Sequence, residues 1–124
     1  MRHTRFDMRS ILIKNGLMQV IFKRPFAQFV KKAYKPLQLA IEDAVELICA
    51  SPKVGEGKVG DLAGIRVYKF RFSRQEYLVA YRPPVQDLPS KFLTIDFYQV
   101  GLHENFYAEL KQYLRQESRK GAAK

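Results

Sequence analysis

The sequence predicts an α+β domain: an antiparallel twisted sheet, built from an N-terminal strand plus a three-stranded meander, with a helical hairpin packed on it and a C-terminal helix. Three observations carry this expectation. Apolar residues recur at three- and four-residue steps between Phe26 and Ile48 and again from Phe106 to Leu114, but alternate between Ile65 and Phe72. Proline or glycine stands at the joints of these stretches, at Pro25, Pro36, Pro52, Gly64 and Gly101. At 124 residues and 47% hydrophobic, the chain can close one core, and neither a repeat nor a linker divides it.

Residues 1–17 carry Arg2, Arg5, Arg9 and Lys14 with little periodicity and read as a basic, flexible arm ahead of a folded unit spanning 18–117. Met18 to Phe22 is short, partly β-branched and closed by Lys23-Arg24-Pro25, which suits a strand leading into a helix. In that helix Phe26, Phe29, Val30, Ala33 and Tyr34 form one stripe expected to be buried, and Lys31, Lys32 and Lys35 gather at the end that favours cations. Pro36 opens the second helix, with Leu37, Ile41, Ala44, Val45 and Ile48 on one face, Glu42, Asp43 and Glu46 outside, and Ser51-Pro52 as its stop.

Gly55, Gly57, Gly60 and Gly64 make an irregular connector to the strand Ile65–Phe72. Alternation puts Arg66, Tyr68, Phe70 and Phe72 on one face and Val67, Lys69 and Arg71 on the other. Ser73 to Glu76 reads as a hairpin turn into Tyr77–Arg82, and Pro83 through Pro89 as a longer loop into Phe92–Val100. The last helix fades into a basic tail, 118–124, expected to be disordered.

A formal charge of +10, from 22 Lys and Arg against 12 Asp and Glu, favours a polyanionic partner. Pro36 to Pro52 holds no Lys or Arg, so the basic surface must come from the flanking chain. Cys49 has no second cysteine to pair with, which fits a reducing, cytoplasmic setting. No apolar run reaches the length of a membrane span, and Lys14-Asn15 interrupts the one stretch resembling an export signal, so neither membrane nor export is expected. Without a His/Cys cluster no metal is expected. The glycine cluster lacks a following Gly-Lys-Ser/Thr, so it is no phosphate loop and implies no nucleotide cofactor.

The order strand, helix, helix, three strands, helix resembles the RelE/ParE family of bacterial type II toxins. Lys58-Val-Gly-Asp-Leu-Ala-Gly64 before the strand, Glu76-Tyr77-Leu78-Val79-Ala80-Tyr81-Arg82 after it, and Val100-Gly-Leu-His-Glu-Asn-Phe-Tyr107 at the end resemble its connector, central hairpin and final strand-to-helix turn. The resemblance covers about residues 18–117. It implies a toxin held by an acidic antitoxin, with operator DNA reached only through that partner. In the ribosome-dependent RNA-cleaving members, basic residues on the strand after the connector and a basic or imidazole residue plus a tyrosine at the turn act on the message; Lys69, Arg71, His103 and Tyr107 match those places. Leu78 and His103 stand where an arginine is common in the family.

If the chain is such an mRNA interferase, Arg71 is the planar donor suited to the phosphate in its transition state, and Lys69 adds a point charge. His103 would serve as general acid or base and Tyr107 as a ring on which a base stacks. Lys58, Arg66, Arg74 and Arg82 would hold RNA by its backbone on the ribosome. Two other functions fit the same sequence: a ParE-like inhibitor of DNA gyrase with no catalytic site, and an inactive family member that only binds.

Overall fold

Both helices of the hairpin begin where proline expects them to. In the computed structural model, which describes residues 10–13, 16–85 and 93–122, α1 (Arg24–Lys32) has Pro25 in its first turn and α2 (Lys35–Ala50) has Pro36 there. The N–H that proline lacks has no intrahelical partner at those positions, and its fixed φ is already helical. Gln38 Nε2 donates to the Val30 carbonyl over 2.7 Å and ties the two helices at their joint.

Phe26 and Val30 of α1 and Leu37, Ile41, Ala44, Val45 and Ile48 of α2 are buried, as their spacing predicts, but Tyr34, expected on the buried stripe, lies past the end of α1 at the joint and is exposed. Glu42, expected on the outer face, is only 2% exposed. Its side of α2 also carries Val45 and Cys49, at steps of three and four, and α2 lies against both ends of the sheet, so more than one stripe is covered. Burial, and then the charge of Glu46, pushes the Cys49 thiol up to about 12, which leaves it an inert hydrophobe.

The strands are β1 (Ser10–Ile13), β2 (Gly16–Phe22), β3 (Glu56–Gly57), β4 (Arg66–Phe72), β5 (Gln75–Arg82) and β6 (Thr94–Leu102), in the six-stranded order β1-β2-β6-β5-β4-β3. β4, β5 and β6 form the expected antiparallel meander. β2 joins β6 in parallel, Gln19 opposite Thr94 and Phe22 opposite Phe97, so the sheet is mixed and not wholly antiparallel. The long crossover through two helices and three strands permits that direction, which a tight hairpin does not.

Three boundaries differ from expectation. Ser10–Ile13, assigned from sequence to the flexible arm, pairs antiparallel with β2 from Ser10 opposite Gln19 to Ile13 opposite Gly16. Glu56–Gly57, assigned to an irregular connector, pairs with Val67 and Arg66. The final helix α3 runs Phe106–Ala122, through most of the segment expected to be a disordered tail. Residues 1–9 and 14–15 of the arm, the centre of the proline-rich loop (86–92) and 123–124 lie outside the described residues.

The sheet is covered on both sides. α1 and α2 pack on Val20, Tyr77, Val79, Tyr81, Ile95 and Phe97, whereas α3 places Phe106 and Leu110 on Leu62, Ile65, Val67, Leu78, Ala80 and Tyr98. Tyr77 through Tyr81 are consequently buried without interruption, since both faces of β5 are roofed. A bulge sets Ala80 opposite Gln99 but Tyr81 opposite Phe97, turning both Tyr98 and Gln99 toward α3. On β4 the α3 side is roofed only as far as Val67, and Lys69 and Arg71 beyond it are exposed.

The β4–β5 turn places Ser73 at φ 53° and Arg74 at φ 68°, and two consecutive positive values define a type I′ hairpin. Neither residue favours that region. Ser73→Asn with Arg74→Gly is expected to stabilise the fold by about 1 kcal/mol. A urea midpoint unchanged or lowered by the pair would contradict this.

Candidate functional site

The open part of the α3 face is framed by β4, the loop after β3 and the entry to α3. β4 aims Lys69 and Arg71 outward beside the buried Val67. β6 ends at Leu102, and the next residues turn into α3 through Asn105, whose φ of 62° is left-handed and suits asparagine. The Phe106 N–H donates to the His103 carbonyl (3.1 Å), and Gln99 Nε2 donates to the Phe106 carbonyl (3.0 Å). That buried amide pins the first turn of α3 to the sheet and so sets the position of both His103 and Tyr107. Sequence reasoning missed Gln99; the signal was an uncharged polar residue amid the apolar run of β6.

His103 and Tyr107 meet edge to face, with ring centroids 5.8 Å apart at 73°. Lys58 Nζ lies 5.3 Å from the Tyr107 centroid and 2.9 Å from Glu56 Oε1. Hydrogen bonding to Glu56 holds the Lys58 ammonium above its ordinary pKa. The same bond, then the charges of Lys58 and Lys69, holds the Glu56 carboxyl below the usual range. The array runs Lys69, Glu56, Lys58, Tyr107, His103. Glu56 was the second residue missed, because nothing in its local sequence distinguishes it from a connector glutamate.

Arg71 stands across from Glu76, and Tyr77 across from Leu102. Alternation puts Arg71 on the same side of the sheet as Val67, and Tyr107, whose ring His103 touches, packs against the cluster on that side. Arg71 Nη2 makes one long bond, 3.4 Å, to the Arg74 carbonyl at the hairpin tip.

The remaining expected contacts separate. Arg74 is exposed at the tip. Arg82 lies near the other end of the α3 face, its guanidinium 5.7 Å from the Tyr98 ring and its Nε 3.4 Å from Tyr98 Oη. Arg66 does not join the array: it points to the hairpin side, where Nε donates to the Gly55 carbonyl (2.8 Å) and Nη2 to the Lys53 carbonyl (3.0 Å).

That use of Arg66 is part of the fastening of the loop that carries Glu56 and Lys58. The Tyr81 hydroxyl accepts the Gly55 N–H (2.9 Å) and donates to the Pro52 carbonyl (2.6 Å). A Cβ on Gly55 would fall 2.8 Å from Tyr81 Oη and 2.9 Å from the Val67 carbonyl carbon. Gly55→Ala is therefore expected to cost about 1–3 kcal/mol through overpacking. Equal urea midpoints for this variant and its parent would show that the loop yields freely.

Among the described residues no helix is long and apolar enough to cross a membrane, and no group of three or more His, Cys, Asp or Glu side chains is placed to hold a metal. What remains is a small basic α+β domain with one partly unroofed sheet face carrying cations, an imidazole and a tyrosine. Residues 20–111 match the model of the ParE-like toxins of type II bacterial toxin-antitoxin systems, and the chain belongs to that family. No curated protein and no solved structure matches it. Membership makes it a toxin component and implies an antitoxin as partner.

Proposed function

We propose that the chain is a ribosome-dependent mRNA interferase, an endoribonuclease neutralised by a cognate acidic antitoxin. The observation that supports this reading is the sharing of one open sheet face by Lys58, Lys69, Arg71, His103 and Tyr107. Cleavage of RNA forms a bond from a 2′-oxygen to the neighbouring phosphorus and breaks the bond to the 5′-oxygen, leaving a cyclic phosphate. One group takes the 2′ proton, another supplies a proton to the leaving oxygen, and cations stabilise the added phosphoryl charge. In this reading His103 handles a proton, Arg71 and Lys69 meet the phosphate, and the Tyr107 ring holds a base. Lys58 and Arg74 add salt-sensitive backbone contacts.

A second reading, a gyrase inhibitor without its own catalysis, draws on the match to ParE-like toxins and on the carboxylates Glu56 and Glu76 beside two of the cations. The two readings part in a pair of assays on the antitoxin-free protein. Added to a reconstituted translation reaction, an interferase leaves new message ends mapped by primer extension; added to gyrase, it leaves supercoiling untouched. Intact messages together with blocked supercoiling would replace the first reading with the second.

A further inference from the structure

Between Asp7 and Glu42 the chain has no acidic side chain. The exposed part of this segment surrounds the joint of the helical hairpin, on the far side of the sheet from His103. Lys31 and Lys32 close α1, Lys35 opens α2, and all three are exposed. The ion pairs among the described residues, Lys23 with Glu117 and Lys58 with Glu56, leave these three lysines out. Between them stands Tyr34, 58% exposed although it is a large ring.

Tyr34 is held in place from one side. Its ring meets Phe72 edge to face at 5.9 Å, and Phe72 meets the buried Tyr77 at 6.4 Å. Phe72 is also the last residue of β4, next to the turn that exposes Arg74, and Arg71 precedes it. Beyond Val67, β4 has no partner on its outer side among the described residues, since β3 pairs only with Arg66 and Val67. Cations and a braced aromatic ring thus continue around an uncovered sheet edge, from Lys31, Lys32 and Lys35 past Tyr34 and Arg74 to Arg71.

We infer that this belt binds single-stranded RNA, with Tyr34 as a stacking platform for one base and the three lysines as contacts to successive phosphates, leading the strand around the hairpin tip to the candidate site. The inference rests on the RNA-directed reading above only for the identity of the polymer. A ring presented between unpaired cations suits a base with its phosphates, because every base has a face to stack and the backbone supplies the charge. An acidic protein segment would match the lysines and leave the ring without a comparable use.

The test measures binding apart from cleavage. A fluorescent single-stranded 2′-O-methyl RNA of about 12 nucleotides cannot be cut, since its 2′-oxygen is blocked, and its anisotropy reports affinity. Tyr34→Leu is expected to weaken binding roughly tenfold and Tyr34→Trp to preserve it. Replacing Lys31, Lys32 and Lys35 together by alanine is expected to lower the slope of log affinity against log salt by about 2. Gln112→Ala, exposed on α3 and away from both belt and site, is expected to bind like the parent. The lysine triple, confined to exposed positions, carries the test should Tyr34→Leu unfold in a thermal melt.

A parent that does not bind the oligomer, or folded belt variants that bind it as the parent does, overturns the belt even where messages are cut. So does a belt whose substitutions release the antitoxin and leave the oligomer bound. If the parent spares messages but the belt variants still lose the oligomer, the belt stands and the interferase reading falls.

Discussion

Replacing His103 by alanine is expected to slow message cleavage by about a hundred- to ten-thousandfold, the range for loss of one general acid or base, while the thermal transition stays where it was. The ring is exposed, and its recorded partner is the neighbouring Tyr107, so little of the core depends on it. The turn itself is held by backbone and by Gln99, which the substitution leaves intact. The measurement is the rate at which new 5′ ends appear on a translated message, with the melting midpoint as control. Parental cleavage by a folded His103→Ala protein would remove the imidazole from the chemistry. Loss of cleavage together with loss of folding would instead assign it to the architecture.

The largest effect on stability is expected from Phe97→Ala, about 3–5 kcal/mol. Phe97 is fully buried in β6 and packs its ring 5.6 Å from Phe22, 5.5 Å from Phe26 and 6.0 Å from Tyr81. It therefore joins β2, α1 and β5 at one point, and its removal leaves a cavity whose walls belong to three elements that cannot close on it together. For a domain with a typical total of about 5–15 kcal/mol, such a loss is a large fraction. Urea denaturation followed by far-UV circular dichroism gives the number; a loss well below 1 kcal/mol would mean that the core collapses to fill the space.

Local periodicity foretold the local structure. The stripes of α1 and α2, the joints at Pro25 and Pro36, and the alternation that separates Tyr68, Phe70 and Phe72 from Lys69 and Arg71 all follow from side-chain direction within one element. The relations between elements were less legible. The parallel partnership of β2 and β6 joins residues more than seventy positions apart, and no short window records it. Glu42 was read as outward because its identity suggested it, whereas its burial depends on what lies against α2.

The site divides along the same line. That Lys69 and Arg71 share a face is strand geometry, and that His103 and Tyr107 meet is one helical turn. Which cations reach them is tertiary: Lys58 arrives through a loop fastened by Tyr81, and Arg66, identical in charge and the first residue of β4, turns away to that loop's carbonyls. Charge counted along the chain cannot distinguish these two fates, because both begin at residues flanking the same glycines.

The placement of β6 has a consequence for the order in which the fold assembles. This strand begins at residue 94 of 124, yet it occupies an inner position of the sheet, between β2 and β5. A growing polypeptide must carry β2 and the helical pair without their principal neighbour until β6 has emerged, and closing so wide a loop is a slow kind of step. Products truncated ahead of β6 lack the strand that unites the two halves of the sheet, and in the interferase reading they lack His103 and Tyr107 as well.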